Sequence, residues 1–566
     1  MSVKVNLRKM LHRKAVEYLA PNRAGNTAAG TFIVADKSDL VPGHDCMFYV
    51  GGASAIWNYN ADEDGWIGIK NSGITGTFAA GACGEFRAIS APAGVITNTA
   101  TAGTTTTITT ALTINRDISG TKIRVVAGTG VGYVGEILSN TKGANAVLAV
   151  KVASSEAFSA TTQYQLFGGS LWFMNAGTAA VGFSVWDRIT DNWTARSVTN
   201  LPTAWGTDAQ LVSTPSAASN VGGLTYDYGT ATAADSTSIT DTSKNFPVNK
   251  YSSFFTIEVT GGTGKGQKRR IISNTATQIV VDSPWGVQPD TTSTYSIKGS
   301  GFVIGTCASA TSTTLVDSTK TTLPVNGFNN FQIRIYAGTG AGQIRTITAN
   351  TAGGSYTVGA AWTVTPDTTS KYVIEGNDDF MYLFGNNAVA LYKYTVSTNA
   401  WATISPGSAR AGAFAAGGTA DWIDGVPDWN DLSFPNQYST TVLKQNGRYI
   451  YSFRGGASAT LDIYDIAAAT WISGVTYGNM METFTTGSCS VDMSGKIYIQ
   501  KDATGAIVRF DVSKNLMEPF FQNHVPQGTA VVGDKMTLAK FTEDSDIWYL
   551  YSLVNTSAMF ARVLII

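Results

Sequence analysis

Few residues in this chain are equipped for chemistry, and their scatter matters as much as their type. The three histidines, His12, His44 and His524, stand far apart in 566 residues, so a multi-histidine metal centre is not expected. Cys46, Cys83, Cys307 and Cys489 form no CxxC and no close pair. The expectation is buried free thiols in a protein made in a reducing cytoplasm. GTGKGQ (262–267) resembles a phosphate cradle, but a true one needs GxxxxGK[ST] between a strand and a helix. Here the glycines lie between strand-like runs, and the motif recurs with Val131 or Ala341 in place of Lys265. That reads as a hairpin turn. NADEDGW (60–66) sets alternate side-chain oxygens before a glycine, as a calcium loop does, but Asn71 stands where the last acid belongs. A turn is expected there. Asp378 and Asp379 open a strand, where exposed turn charge is expected. No GxSxG elbow and no HExxH helix occurs.

Binding chemistry is better represented. Lys265, Lys268, Arg269 and Arg270 form a basic run suited to an acidic partner surface. Trp422 and Trp429, within 405–436, suit stacking on a sugar ring. Five N-terminal cations (Lys4, Arg8, Lys9, Arg13, Lys14) lack an aromatic platform, so a docking or solvated segment is expected rather than a specific nucleic-acid site. With 39 Lys+Arg against 40 Asp+Glu the chain has no basic footprint. No run approaches the ~18 apolar residues of a membrane span, and residues 1–20 hold no signal-peptide core.

Repeats supply the elements that would position these groups. An aromatic is followed seven positions later by a large apolar residue at Tyr59/Trp66, Trp186/Trp193, Tyr394/Trp401, Tyr464/Trp471 and Phe510/Met517. Before each pair lies another strand-like run, such as CMFYVGG (46–52) or RYIYSFRGG (448–456). Strand, Gly turn, strand ending in an aromatic, short turn, strand opening with Trp: this resembles a kelch-type propeller blade. A second repeat carries GTGxG between alternating strands, at 123–137, 255–271 and 333–347. Copies two and three continue to SPWGVQPDTTSTYSI (283–297) and AAWTVTPDTTSKYVI (360–374). Taking one such module out of the Trp66–Trp193 interval and two out of Trp193–Trp401 leaves roughly the 50-residue period of a kelch blade.

The expected fold is therefore all-β, a kelch-like propeller of about six blades with three inserted small β modules on one face. The expected boundaries are an arm over 1–29, blade one and the start of blade two over 30–91, and a module over 92–168. Blades two and three follow over 169–221, then modules over 222–299 and 300–376, and blades three to six over 377–566. Both insertions separate the innermost strand of a blade from its second strand, so two modules are expected to stand in tandem as a stalk. The C-terminal blade lacks a strand, which alternating Val3, Val5 and Leu7 would supply; the competing reading is a helix over 7–19.

Low charge, Thr/Ser/Gly-rich strands and modules reading GTGxGQxRxI…W…PDTTSxYxI together resemble structural proteins of tailed-bacteriophage virions. That resemblance implies a multimeric tail, collar or fibre component, made in the host cytoplasm and located in the virion. Its partners would be other virion proteins and copies of itself. A charged fraction of 14% against roughly 25% in ordinary proteins suits a surface buried on neighbours. The alternative is a propeller that binds host-surface glycan. Propellers also house enzymes. A copper-radical oxidase needs converging histidines, and a sialidase shows S-x-D-x-G-x-x-W turns, whereas Gly65 and Trp66 are adjacent here. The expectation is no catalysis and no cofactor.

Overall fold

A computed structural model of the chain describes residues 16–19, 32–35, 47–51, 55–60, 65–69, 81–175, 182–202, 209–214, 224–385, 389–404, 412, 418–422, 447–476, 483–484, 488–493, 496–501, 506–512, 516–521, 535–540, 548–554 and 559–564. Alternation of apolar and polar residues makes strands of nearly all of them. Among the described residues the sole helical element is one short turn at Pro92–Gly94.

Six four-stranded antiparallel sheets form the propeller. Their innermost strands are Phe32–Ala35, Cys83–Arg87, Gln210–Ser213, Thr419–Trp422, Cys489–Met493 and Lys535–Lys540. Each touches the next, and the sixth touches the first, so the ring is closed. The seven-residue aromatic spacing has a direct cause. A two-stranded turn of that length places the two residues opposite each other, and all five pairs are cross-strand partners. Their rings pack between blades. Phe183 of the second blade meets Trp401 of the third edge-on at 5.1 Å. Tyr382 meets Tyr464 at 5.6 Å, and Tyr59 meets Tyr551 across the closure at 6.0 Å. Trp193 is the exception, only half-buried.

The missing strand of the last blade does come from the N-terminal part of the chain, at Val16–Leu19, paired with Met559–Leu564. Residues 16–19 are thus strand rather than the end of a helix. Val3, Val5 and Leu7 lie outside the described residues.

Between Cys83–Arg87 and Ser170–Asn175 the chain builds a closed six-stranded barrel over Asn98–Phe167. Between Gln210–Ser213 and Phe380–Phe384 it builds two seven-stranded sheets with the same strand order, over Leu224–Gly299 and Val303–Glu375. In all three modules the first glycine of GTGxG has positive φ, 75°, 71° and 77° at Gly128, Gly262 and Gly338. A Cβ there would lie 1.8–2.1 Å from a carbonyl oxygen of the facing strand's approach, at Thr161, Thr292 or Thr369. The glycine is fixed by this approach, which confirms the turn and leaves no cradle before a helix.

Ring closure through one short strand predicts a specific sensitivity. A chain lacking residues 1–19 leaves the Met559–Leu564 edge unpaired, and its melting temperature should fall by about 2–4 °C for each kcal/mol lost. Unchanged melting by calorimetry would show that this strand does not hold the ring.

Candidate functional site

Each insertion leaves and re-enters its blade at adjoining points, for Arg87 pairs with Ser170 and Ser213 with Met381. Since inner strands share one direction around the ring, both insertions emerge from the same face. The two stems are joined. Arg87 Nη1 donates to the Asp378 carbonyl at 2.6 Å and Nη2 to its Oδ1 at 3.0 Å, with both side chains about 1% exposed. Asp378 is therefore a buried ion-pair partner and not the exposed turn charge its sequence position suggests. Asp379 caps a turn instead, accepting from Ser397 N and Oγ, both at 2.7 Å. On the first stem, Asp187 accepts from Ala91 N (2.9 Å) and from Thr190 N and Oγ1 (2.9 and 2.8 Å). Burial outweighs these bonds and pushes its carboxyl up to about 6.

Beyond the stems the modules bury their sheets against one another. Glu375 of the third module accepts from Arg334 Nε of its own sheet at 3.0 Å and from Arg124 Nη1 of the first module at 3.2 Å. Arg124 Nη2 also donates to Gln165 Oε1 at 3.0 Å. Burial alone would raise the Glu375 carboxyl, but Arg334 and Arg124 overcome it and hold it below the ordinary carboxylate range. The first and third modules also meet turn on turn, since a Cβ at Gly342 would lie 2.4 Å from Gly132 N. Lys250 of the second module donates to the Gly132 carbonyl at 2.9 Å, and Phe254 meets Phe167 edge-on at 4.9 Å. Burial, then Arg270 of the second module, push Lys122 of the first down to about 8. Tyr226 and Tyr336 join the second and third modules at 5.1 Å. Asn330 Nδ2 of the third donates to the Ile466 carbonyl of the fourth blade at 3.0 Å. The three modules and their propeller face form one packed body rather than a tandem stalk.

The basic run divides on inspection. Lys265 and Lys268 are exposed. Arg269 is engaged locally, donating through Nε and Nη2 to the Pro284 carbonyl (3.1 and 2.9 Å) while lying 5.5 Å over the Trp285 ring. Arg345 repeats this clamp in the third module with Ala361 and Trp362. Arg270 donates to the Ser253 carbonyl at 3.2 Å and faces the first module. Trp422 ends the inner strand of the fourth blade, paired through its backbone with Ile450. Trp429 and most of NADEDGW lie outside the described residues. Cys83, Cys307 and Cys489 are buried and form no disulfide among the described residues; Cys46 lies outside the described residues. Among the described residues no group of acids, histidines and cysteines could hold a metal ion.

The charged network at the module seam was missed from sequence, although Arg124 and Arg334 hold the same place before GTGxG and the second module has Glu258 there. The axis of the disc holds a second site, a cavity of about 60 Å³ lined by all six inner strands, with Glu85, Gln210, Asp421 and Ser490 among them. Ser213 Oγ donates to Glu85 Oε1 at 2.9 Å, and Asp492 N to Asp421 Oδ2 at 3.1 Å. That volume has room for waters, well short of the roughly 300 Å³ of a ligand pocket.

No family model matches the chain, and no curated protein matches it. Among solved structures, the phage phi92 endosialidase aligns over 98% of this chain and 70% of its own, at 8% identity and a TM-score of 0.26. The NanB sialidase from Streptococcus pneumoniae aligns over 98% and 94%, at 8% identity and 0.23. The Niastella koreensis GH74 enzyme aligns over 95% and 82%, at 11% identity and 0.20. Likeness at this level transfers no residue. The expectation of a non-enzyme is corrected to this extent: sialidases and a glycoside hydrolase stand among the similar structures, and a likeness this low assigns the chain no activity of its own.

Glu375→Gln would leave Arg124 and Arg334 buried without their counter-charge, a change that costs about 3–5 kcal/mol when one partner of a buried pair is removed. Because the folded carboxyl sits below its unfolded value, its contribution is complete above the ordinary carboxylate range and is lost as pH falls through the folded value. Melting temperature against pH should therefore show an acid-side loss in the wild type that is shallower in Glu375→Gln. Parallel acid limbs would remove Glu375 from the account.

Proposed function

We propose that the chain is a structural component of a bacteriophage virion, a tail, collar or fibre protein acting by multimeric protein–protein assembly. The observation that carries this reading is the module-bearing face. The 166 residues between Ser213 and Phe380 return to the same hairpin position, so the propeller does not need them for its own closure. Yet they are held there by buried ion pairs rather than left on loops. Chain ordered at such cost, without benefit to the scaffold, is suited to presenting a fixed surface to neighbours.

A second reading, host-surface glycan recognition, draws on the fourth blade. Its inner strand ends at Trp422 and its second begins at Tyr449. That connection therefore leaves the disc at the same point as the modules, and it contains Trp429. The phage endosialidase among the similar structures is named for action on sialoglycans, which makes sialylated glycans the first probes to try.

Replacing residues 224–376 by a short Gly/Ser linker should leave a folded propeller that no longer enters particles of the encoding phage, scored by mass spectrometry of purified virions. Full-length protein absent from those particles would end the assembly reading. Glycan binding that disappears in a Trp422→Ala/Trp429→Ala double variant would favour the second.

A further inference from the structure

The three modules share one sheet, and the same cross-strand row of its outward face can be compared in each. In the third module the row is Ile304–Val373–Arg334–Ile344. Its centre, Val373 and Arg334, is 0% and 7% exposed. In the first module the corresponding Gln165–Arg124–Val134 are all buried. Both rows are buried between modules, Val373 within the apolar cluster of the second module and the two arginines around Glu375. They form the seam in which Glu375 takes a cation from each side. This sheet face is thus the surface through which a module of this type associates.

In the second module the same row reads Tyr228–Ser296–Glu258–Lys268. Its two ends face solvent, with Tyr228 72% exposed and Lys268 exposed. An aromatic of that size left in water within a docking face is a typical interface anchor. The charges around it are partly self-satisfied. Lys244 pairs with Asp227 at 2.7 Å and lies 5.5 Å over the Tyr228 ring, and Lys298 pairs with Glu258 at 2.7 Å. Counting these, cations remain in excess at Lys268 and at Lys265 on the adjoining turn. The face also continues the existing seam, because Arg270, one row away, already adjoins Lys122 of the first module.

We propose that this face of the second module is the docking surface of the protein, and that its occupant is an acidic protein surface. Carboxylates of the partner would meet Lys268 and Lys265, as Glu375 meets Arg124 within the chain, while an apolar group covers Tyr228. A second copy docking face to face is disfavoured, since Lys268 and Lys265 would oppose their own counterparts. The proposal rests on the assembly reading and gives it a contact.

The test is competition for incorporation during infection, using tagged full-length wild type, Tyr228→Ala/Lys268→Glu and Lys268→Arg supplied in trans. Wild type and Lys268→Arg should enter virions equally, and the double variant at least about ten-fold less, equivalent to about 1.4 kcal/mol. Its melting temperature should match the wild type, which separates docking from folding. A double variant found at normal copy number overturns this surface while leaving the assembly reading intact. Wild type missing from virions overturns both. Sedimentation of the purified chains adds a further arm: wild-type dimers that the double variant abolishes would make the occupant a second copy and overturn the acidic partner.

Discussion

A carboxylate stripped of water stays ionised only where cations replace the lost hydration, and the placement of Glu375 follows from that requirement. Arg334, on the next strand, supplies one cation. A second has to come from another element, and Arg124 brings it from the first module, whose sequence position is 251 residues away. The third module can therefore sit in one orientation only, with its outward face on the first. That orientation also brings Gly342 onto Gly132 and carries Asn330 over the fourth blade. Apolar packing alone would hold the modules together with less regard for register; the buried charges make a shifted register costly.

The same logic operates at the stems. Arg87 and Asp378 close the base of two separate insertions with a pair that neither insertion could form by itself. Between this pair and the Glu375 cluster, the chain from Tyr372 to Asp378 is buried throughout. The face therefore behaves as an extension of the disc, and surfaces on it hold fixed positions relative to the axis.

How much of this could be read from the sequence depended on the range of the interaction. The aromatic spacing was legible because a strand has period two and a tight turn fixes which residues stand opposite, so Tyr394 and Trp401 announce each other across seven positions. The GTGxG turns were legible because backbone geometry demands glycine at Gly128, Gly262 and Gly338. The closing strand was legible in kind but not in place. Val16–Leu19 is four residues long, and local alternation at Val3, Val5 and Leu7 looks as good. Asp378 was misread because its partner lies 291 residues upstream. An acid at a strand start looks solvated until the tertiary fold supplies its arginine.

Charge also distinguishes modules that share one fold. Where the first and third carry Arg124 and Arg334, the second carries Glu258, and where the third carries Glu375, the second carries Lys298. Were the second module to dock on the first in place of the third, Lys298 would meet Arg124 in a dehydrated seam, and two like charges there cost several kcal/mol. The inverted pair therefore excludes a wrong arrangement of near-identical sheets. It does so without weakening the second module itself, since Glu258 and Lys298 still neutralise one another on its surface. Repeats that fold alike need such a difference to assemble in a single order, and the residues that provide it are polar, half-buried and separated by forty positions in sequence. They carry no local signature, and only the comparison of equivalent rows in the folded modules makes them visible.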